Sequence, residues 1–204
     1  MKIYDYKGFP NPTRVRIALA EKNALQAVEF IHVDVLAGEH REPAFVAKNP
    51  SAAVPVLELP DGTYISESSA ITEFIDQHFD GISLLGNSAQ ERAAIHMLQR
   101  QAESGVLDAI GAYFHHATEG LMESYQNNDW GLKQKQNAID KMHYFNELLS
   151  TRKYLAGSTY SVADITLFAG LAFADFVKID IPPACQHLLN WRATIASRPA
   201  VASI

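Results

Sequence analysis

Several stretches of the sequence combine residue types that could hold an anionic ligand, and one more could supply a base. Gly8-Phe9-Pro10-Asn11-Pro12-Thr13 places an asparagine between two prolines at the entry to a helix. The Asn11 amide and the helix N–H groups near Thr13 can donate to an anion, while Pro-Asn-Pro also serves as an ordinary turn. Glu67-Ser68 falls where a strand gives way to a helix. There, free N–H groups and the helix dipole favour a carboxylate, the Ser68 hydroxyl adds a donor, and Glu67 can meet an ammonium; a simple cap at Ser66 or Ser68 is compatible with that role. Val54-Pro55 joins a loop to a strand, where proline costs no ladder bond; local sequence alone favours the trans form. Ser104, Asp108, Gly111 and His115 follow one another at spacings of four, three and four, a narrow helical stripe with a small residue beside an imidazole. A neutral imidazole accepts a proton near pH 7, although such a stripe also suits a solvated or dimer-facing side. His116 turns about 100° away, toward the apolar side.

The elements that must position these residues fall into two halves. In the first, residues 2–6 read as a strand, Thr13 caps a helix to about Asn23, and Val28–Val35 reads as a second strand, which makes a βαβ unit with parallel strands. A short helical piece over 42–48 follows. Val56–Leu59 and Thr63–Ile65 then flank Pro60-Asp61-Gly62 as a hairpin, and 66–79 reads as a helix. In the second half, Ile95, Leu98, Ala102, Val106, Ala109 and Tyr113 mark one apolar face of a helix over 89–117, and further helices are expected over 130–149, 163–176 and 184–197. Ser161 and Asp164 form a capping box, with Tyr160 and Ile165 available as a hydrophobic staple. The boundaries expected are 1–80, a linker over 81–87, and 88–204.

Composition narrows the functions. The 204 residues are 48% hydrophobic and 20% charged, which excludes disorder as the main state, and a chain this long buries about 70% of its unfolded surface without disulfide or metal. With 17 Lys and Arg against 23 Asp and Glu, a net charge of −6 disfavours nucleic acid and anionic membranes. One cysteine, Cys185, cannot form an internal bridge, and no Cys/His cluster has metal-site spacing, so no metal is expected. Met1 leads directly into a strand-like alternation, and the apolar run Ile165–Ala174 falls short of the roughly 20 residues that span a bilayer. A cytoplasmic location is expected.

Gly38-Glu39-His40-Arg41-Glu42-Pro43-Ala44-Phe45, Asn49-Pro50, Val54-Pro55-Val56-Leu57, Glu67-Ser68-Ser69-Ala70-Ile71 and Ser161-x-x-Asp164, in this order and spacing, resemble the glutathione transferase superfamily over essentially the whole chain. Arg14 to Lys22 and Tyr113 to Thr118 look most like the atypical fungal and bacterial transferases that lack a catalytic Tyr, Ser or Cys. The resemblance implies an α+β thioredoxin-like N-terminal domain (βαβ-α-ββα) followed by an all-α domain, a homodimer built on the helices over 66–79 and 89–117, and a detoxifying transferase. Its expected activity is conjugation of the glutathione thiolate to small hydrophobic electrophiles. Glutathione-dependent reduction of disulfides or peroxides, and a noncatalytic glutathione-binding or dimerisation module, are the alternatives. Glutathione is the expected co-substrate, with no permanently bound cofactor.

The resemblance also assigns residues. Pro55 would be cis and turn the Val54 backbone toward the cysteinyl unit; Glu67 and Ser68 would take the γ-glutamyl end; His40 would reach the glycine carboxylate. Where many relatives carry a second polar ligand for that carboxylate this chain has Ala52, for which Arg41 or Lys48 could compensate. The helix carrying His115 borders the cleft between domains in the family. That leaves Asn11 or the nearby helix N–H groups to stabilise the thiolate and His115, directly or through water, to take the proton. Phe9, Tyr113 and Phe114 are the candidates for the electrophile pocket. With no cysteine in the first loop, a glutaredoxin-like mixed disulfide on the protein has no place to form.

Overall fold

A computed structural model describes residues 1–119, 121 and 123–204. The chain divides into two compact units: Met1–Ser83 with Ser203–Ile204, and Leu84–Ala202.

The first unit holds four strands in the order β2-β1-β3-β4, with β1 Lys2–Asp5, β2 Glu29–His32, β3 Val56–Glu58 and β4 Tyr64–Ser66. β1 is parallel to β2 and antiparallel to β3, and β3 is antiparallel to β4. Helix α1 (Pro10–Glu21) crosses from β1 to β2, α2 (Pro43–Val46) precedes β3, and α3 (Ser68–His78) follows β4. Side chains alternate across the sheet: Tyr4 and Val56 pack with Val33, Phe45 and Val54 on one face, and Ile3 and Leu57 point to the other. Helices α1 and α3 pack together, and Lys22 at the end of α1 meets Asp76 of α3 in a buried ion pair at 2.7 Å. This is the βαβ-α-ββα thioredoxin-like arrangement.

Element ends shift from the sequence reading for local reasons. α1 begins at Pro10, so Thr13 lies inside it; both Pro10 and Pro12 sit in the first turn, where no N–H is needed. β2 stops at His32, because the Asp34 carboxylate accepts the Ala37 N–H at 2.9 Å and turns the chain. α3 starts at Ser68 because β4 still pairs at Ser66.

The second unit contains α4 (Ala89–Ala102), α5 (Asp108–Ala117), α6 (Asn128–Leu149), α7 (Val162–Phe176), α8 (Gln186–Ala196) and a short α9 (Pro199–Ala202). The single helix expected over 89–117 is interrupted by a π-helical turn at Glu103–Leu107. One extra residue there carries the buried face from Ala102 to Leu107 in a five-residue step, after which Ile110 is inward. Gly170 of α7 lies against this turn: a Cβ there would come within 3.2 Å of Val106 Cγ1 and 3.3 Å of the Leu107 nitrogen. Among the described residues no helix is long and apolar enough to cross a membrane.

Asp164 ties the start of α7 to its surroundings. Its buried carboxylate accepts the Leu155 N–H (2.9 Å), the Trp191 indole N–H (3.1 Å), and the N–H and hydroxyl of Ser161 (3.0 and 3.1 Å). Burial pushes its pKa up to about 6, against the lowering influence of those donors. The folded value therefore lies above the unfolded one, so this group's contribution is full below about pH 4 and lost as pH rises through 6. Between pH 5 and 7.5 the native protein should lose about 1 kcal/mol of stability that Asp164→Asn does not lose, as read from urea unfolding at the two pH values. Equal slopes in both proteins would contradict this.

Candidate functional site

Strand polarity gathers the candidate ligands of the first unit. β1, β2 and β4 end, and β3 begins, at one edge of the sheet: Tyr4 pairs with Val56, and Val56 with Ser66. The starts of α1 and α3, the Val54-Pro55 junction and Glu67 all follow from that edge. Elements in this position leave helix N-termini and irregular backbone available to a ligand.

Asn11 sits in the first turn of α1 with its amide held in one orientation. Its Oδ1 accepts from Arg14 Nη1 at 2.9 Å, and Arg14 is only 1% exposed. The amide carbonyl is therefore occupied and the Nδ2 hydrogens are the groups left to donate. Its backbone carbonyl accepts the Ser68 hydroxyl at 3.2 Å, which joins the starts of α1 and α3 across 57 residues of sequence. The helix N–H groups near Thr13 narrow to one. The Thr13 N–H bonds the Phe9 carbonyl at 2.9 Å, that of Phe9 bonds Tyr6 at 3.2 Å, and the two prolines have none. Among the described residues, Asn11 carries the remaining backbone donor of that turn. Arg14 is the residue the sequence reading missed, although its position three after Asn11 is that of a helical neighbour.

The Val54–Pro55 bond is cis, and among the described residues no hydrogen bond engages the Val54 N–H or carbonyl. Glu67 has φ 68° and ψ 121°, a backbone region that L-residues rarely adopt, and its side chain is exposed. The N–H groups of Ser68 and Ser69 open the first turn of α3, where the helix itself supplies no acceptor. Ser68 is buried and its hydroxyl proton is directed at Asn11, so the backbone is the better carboxylate donor here.

His40 lies in a 3-10 turn (Glu39–Arg41) after β2, apart from those contacts. Its Nε2 accepts from Arg41 Nε at 3.3 Å, while Nδ1 is buried with no hydrogen-bond partner. Burial, and then the charge of Arg41, lower its pKa and keep the ring neutral. In this orientation the exposed cation is Arg41. Lys48 is engaged elsewhere, between the rings of Tyr4 (5.3 Å) and Tyr64 (5.2 Å). Phe9 caps α1, half-buried, with its ring 4.4 Å from that of Tyr6.

In the second unit Ser104, Asp108 and His115 are all exposed, with Ser104 on the π-turn donating to the Arg100 carbonyl at 2.8 Å. Gly111 faces Phe173, which a Cβ would meet at 3.7 Å. Desolvation by its neighbours, then the charge of His116, hold the His115 pKa below its ordinary value. Tyr113 and Phe114 point to different helices: Lys135 of α6 lies 5.3 Å over the Tyr113 ring, whereas Phe114 meets Phe173 and Phe176 of α7 edge-on at 5.6 and 5.9 Å. They do not line one wall together. No group of three or more metal-ligating side chains occurs among the described residues.

Comparison with known proteins identifies the family of the chain. The family described as glutathione S-transferase, N-terminal domain, matches residues 10–78, and glutathione S-transferase, C-terminal domain, matches residues 110–199. Glutathione S-transferase 2 of Saccharomyces cerevisiae is 49% identical over 204 residues, covering 98% of this chain and 88% of that protein. The crystal structure of Gtt2 from Saccharomyces cerevisiae has a TM-score of 0.96 at 48% identity and covers 100% of this chain and 99% of that one. A glutathione S-transferase domain-containing protein from Marinobacter aquaeolei VT8 has a TM-score of 0.96 at 58% identity, covering 98% of this chain and 100% of that one. With both domain profiles matched in order and the yeast likeness running through the whole sequence, the chain belongs to the glutathione S-transferase family and is an enzyme similar to yeast Gtt2.

Proposed function

We propose that the protein conjugates the glutathione thiolate to small hydrophobic electrophiles, as a two-fold homodimer whose interface uses the helices over 66–79 and 89–117. The observation that carries this reading is the fixed Asn11 amide, whose Oδ1 is taken by Arg14 so that Nδ2 is its donor, on a residue whose backbone carbonyl is tied to Ser68 at the start of α3. A donor of that kind stabilises a sulfur anion, which is the attacking species. In this reading the Val54 backbone pairs with the cysteinyl unit, Glu67 takes the ammonium, the first N–H groups of α3 take the γ-glutamyl carboxylate, and Arg41, oriented by its hydrogen bond to His40, meets the glycine carboxylate. Of the electrophile-pocket candidates Phe9, Tyr113 and Phe114, the last contributes apolar surface together with Phe173 and Phe176. The only cysteine, Cys185, is fully buried in the second unit, so no protein thiol serves a mixed-disulfide cycle. This favours conjugation over glutaredoxin-like reduction.

Steady-state assays with a chloronitroarene, a hydroperoxide and a glutathionyl mixed disulfide test the reading. Turnover of the chloronitroarene in excess of the other two is expected, and no turnover of any would leave a binding module. By calorimetry, Glu67→Gln should raise the glutathione dissociation constant about tenfold, the scale of one charge-assisted hydrogen bond. An unchanged constant would remove Glu67 from the ligand set. Sedimentation should give twice the 22.5 kDa chain mass at micromolar concentration, and a monomer would overturn the assembly.

A further inference from the structure

The last turn of α5 and the first turn of α6 are fastened together by contacts of different kinds. Gly131 of α6 sits directly on the end of α5: a Cβ there would lie 2.8 Å from Ala117 Cβ, 3.1 Å from the Ala117 nitrogen and 3.1 Å from the His116 carbonyl carbon. Any larger residue must push the two helices apart. The His116 imidazole accepts the Asn127 N–H on Nδ1 at 3.2 Å, and the Asn127 side chain in turn accepts the Trp130 N–H at 3.0 Å, so His116 holds the residue that caps α6. The Tyr125 ring stacks on His116 with centroids 6.4 Å apart. Gln126 Nε2 donates to the Thr118 and Leu121 carbonyls at 2.5 and 2.6 Å, which secures the chain as it leaves α5.

A helix end with unpaired carbonyls is where fraying starts, and His115 is in that last turn, two residues before the end of α5. A general base must be held within about 0.5 Å of its productive position. The neighbouring histidines divide the work by their angular separation: His116 faces α6, and His115 stays exposed. We propose that His116 and Gly131 are positioning residues that fix the last turn of α5 and, through it, the setting of the His115 imidazole. Its catalytic consequence rests on the reading of His115 as the base. The contact on Nδ1 requires the His116 tautomer that carries its proton on Nε2, and an asparagine Oδ1 can supply an acceptor near the same place.

The test compares His116→Ala, His116→Asn and Gly131→Ala by chloronitroarene kinetics and by NMR titration of the His115 ring. In His116→Ala, kcat/KM should fall about tenfold with the KM for glutathione unchanged, and the His115 midpoint should rise toward 6.5 as the last turn loosens and the packing that desolvates the ring is lost. His116→Asn should restore both readouts most of the way. Gly131→Ala should shift the His115 midpoint in the same direction, and if it fails to fold the His116 pair still decides. Native rate and native His115 titration in His116→Ala would overturn the proposal, as would an asparagine variant no better than alanine. A fully active His115→Ala would instead remove the base assignment, and the His115 titration in His116→Ala compared with His116→Asn, both uncharged at 116, would then decide the anchoring.

Discussion

Asn11→Ala is expected to lower kcat/KM for conjugation by about 10²- to 10³-fold, the usual loss when a preorganised donor to a developing or standing anion is deleted. The same substitution should raise the thiol pKa of bound glutathione toward the ordinary cysteine value of about 8.5, visible as a shifted thiolate absorbance titration. The force of this expectation lies in how the amide is oriented. A free asparagine side chain can present either its oxygen or its nitrogen to a ligand, but the buried Arg14 guanidinium occupies Oδ1 at 2.9 Å and leaves Nδ2 as the group with a hydrogen bond to give. A charged donor on the carbonyl also polarises the amide and strengthens the hydrogen bond that Nδ2 gives. Asn11→Asp separates donation from shape. The carboxylate keeps the size and the Arg14 contact yet offers no proton and repels the sulfur anion, so its loss should equal or exceed that of alanine. Should Asn11→Asp retain native activity, the amide is no part of thiolate stabilisation.

The order of elements is legible because period-two patterns occur only before about residue 80, and because Gly62 marks the hairpin that brings Ser66 back beside Val56. The Asp164 capping box is legible for the same local reason, since it involves residues three apart. What stays hidden is whatever depends on phase or on distant partners. The apolar spacing from Ile95 to Tyr113 is equally consistent with an unbroken helix. The π-turn shows itself only in the packing of Gly170 on Val106 and Leu107. Starting α1 at Thr13 separates Asn11 from Arg14, although proline at the first helical position is also a helix starter, and with that start the i, i+3 bond to Arg14 becomes a local expectation. The turning of His40 onto Arg41 has no sequence signal, because either ring nitrogen could have faced the ligand.

His115→Ala should reduce the rate by about 10²-fold while leaving glutathione affinity near native, the split that a group acting in proton transfer rather than in ligand binding produces. Desolvation and the charge of His116 lower the pKa of this imidazole, so it is neutral and able to accept a proton throughout the neutral range. The sign of the pH dependence follows: activity should be lost as pH falls through a value below 6.5, when the ring becomes protonated, and His115→Ala should lack that acid limb. Asn11 and His115 then have distinguishable signatures. Loss of Asn11 moves the thiol titration, because it changes the stability of the anion; loss of His115 removes the acid limb, because it changes how the proton leaves. The double variant measures their dependence on each other. If the amide alone activates sulfur, His115→Ala keeps full activity across the pH range and the double variant is no slower than Asn11→Ala.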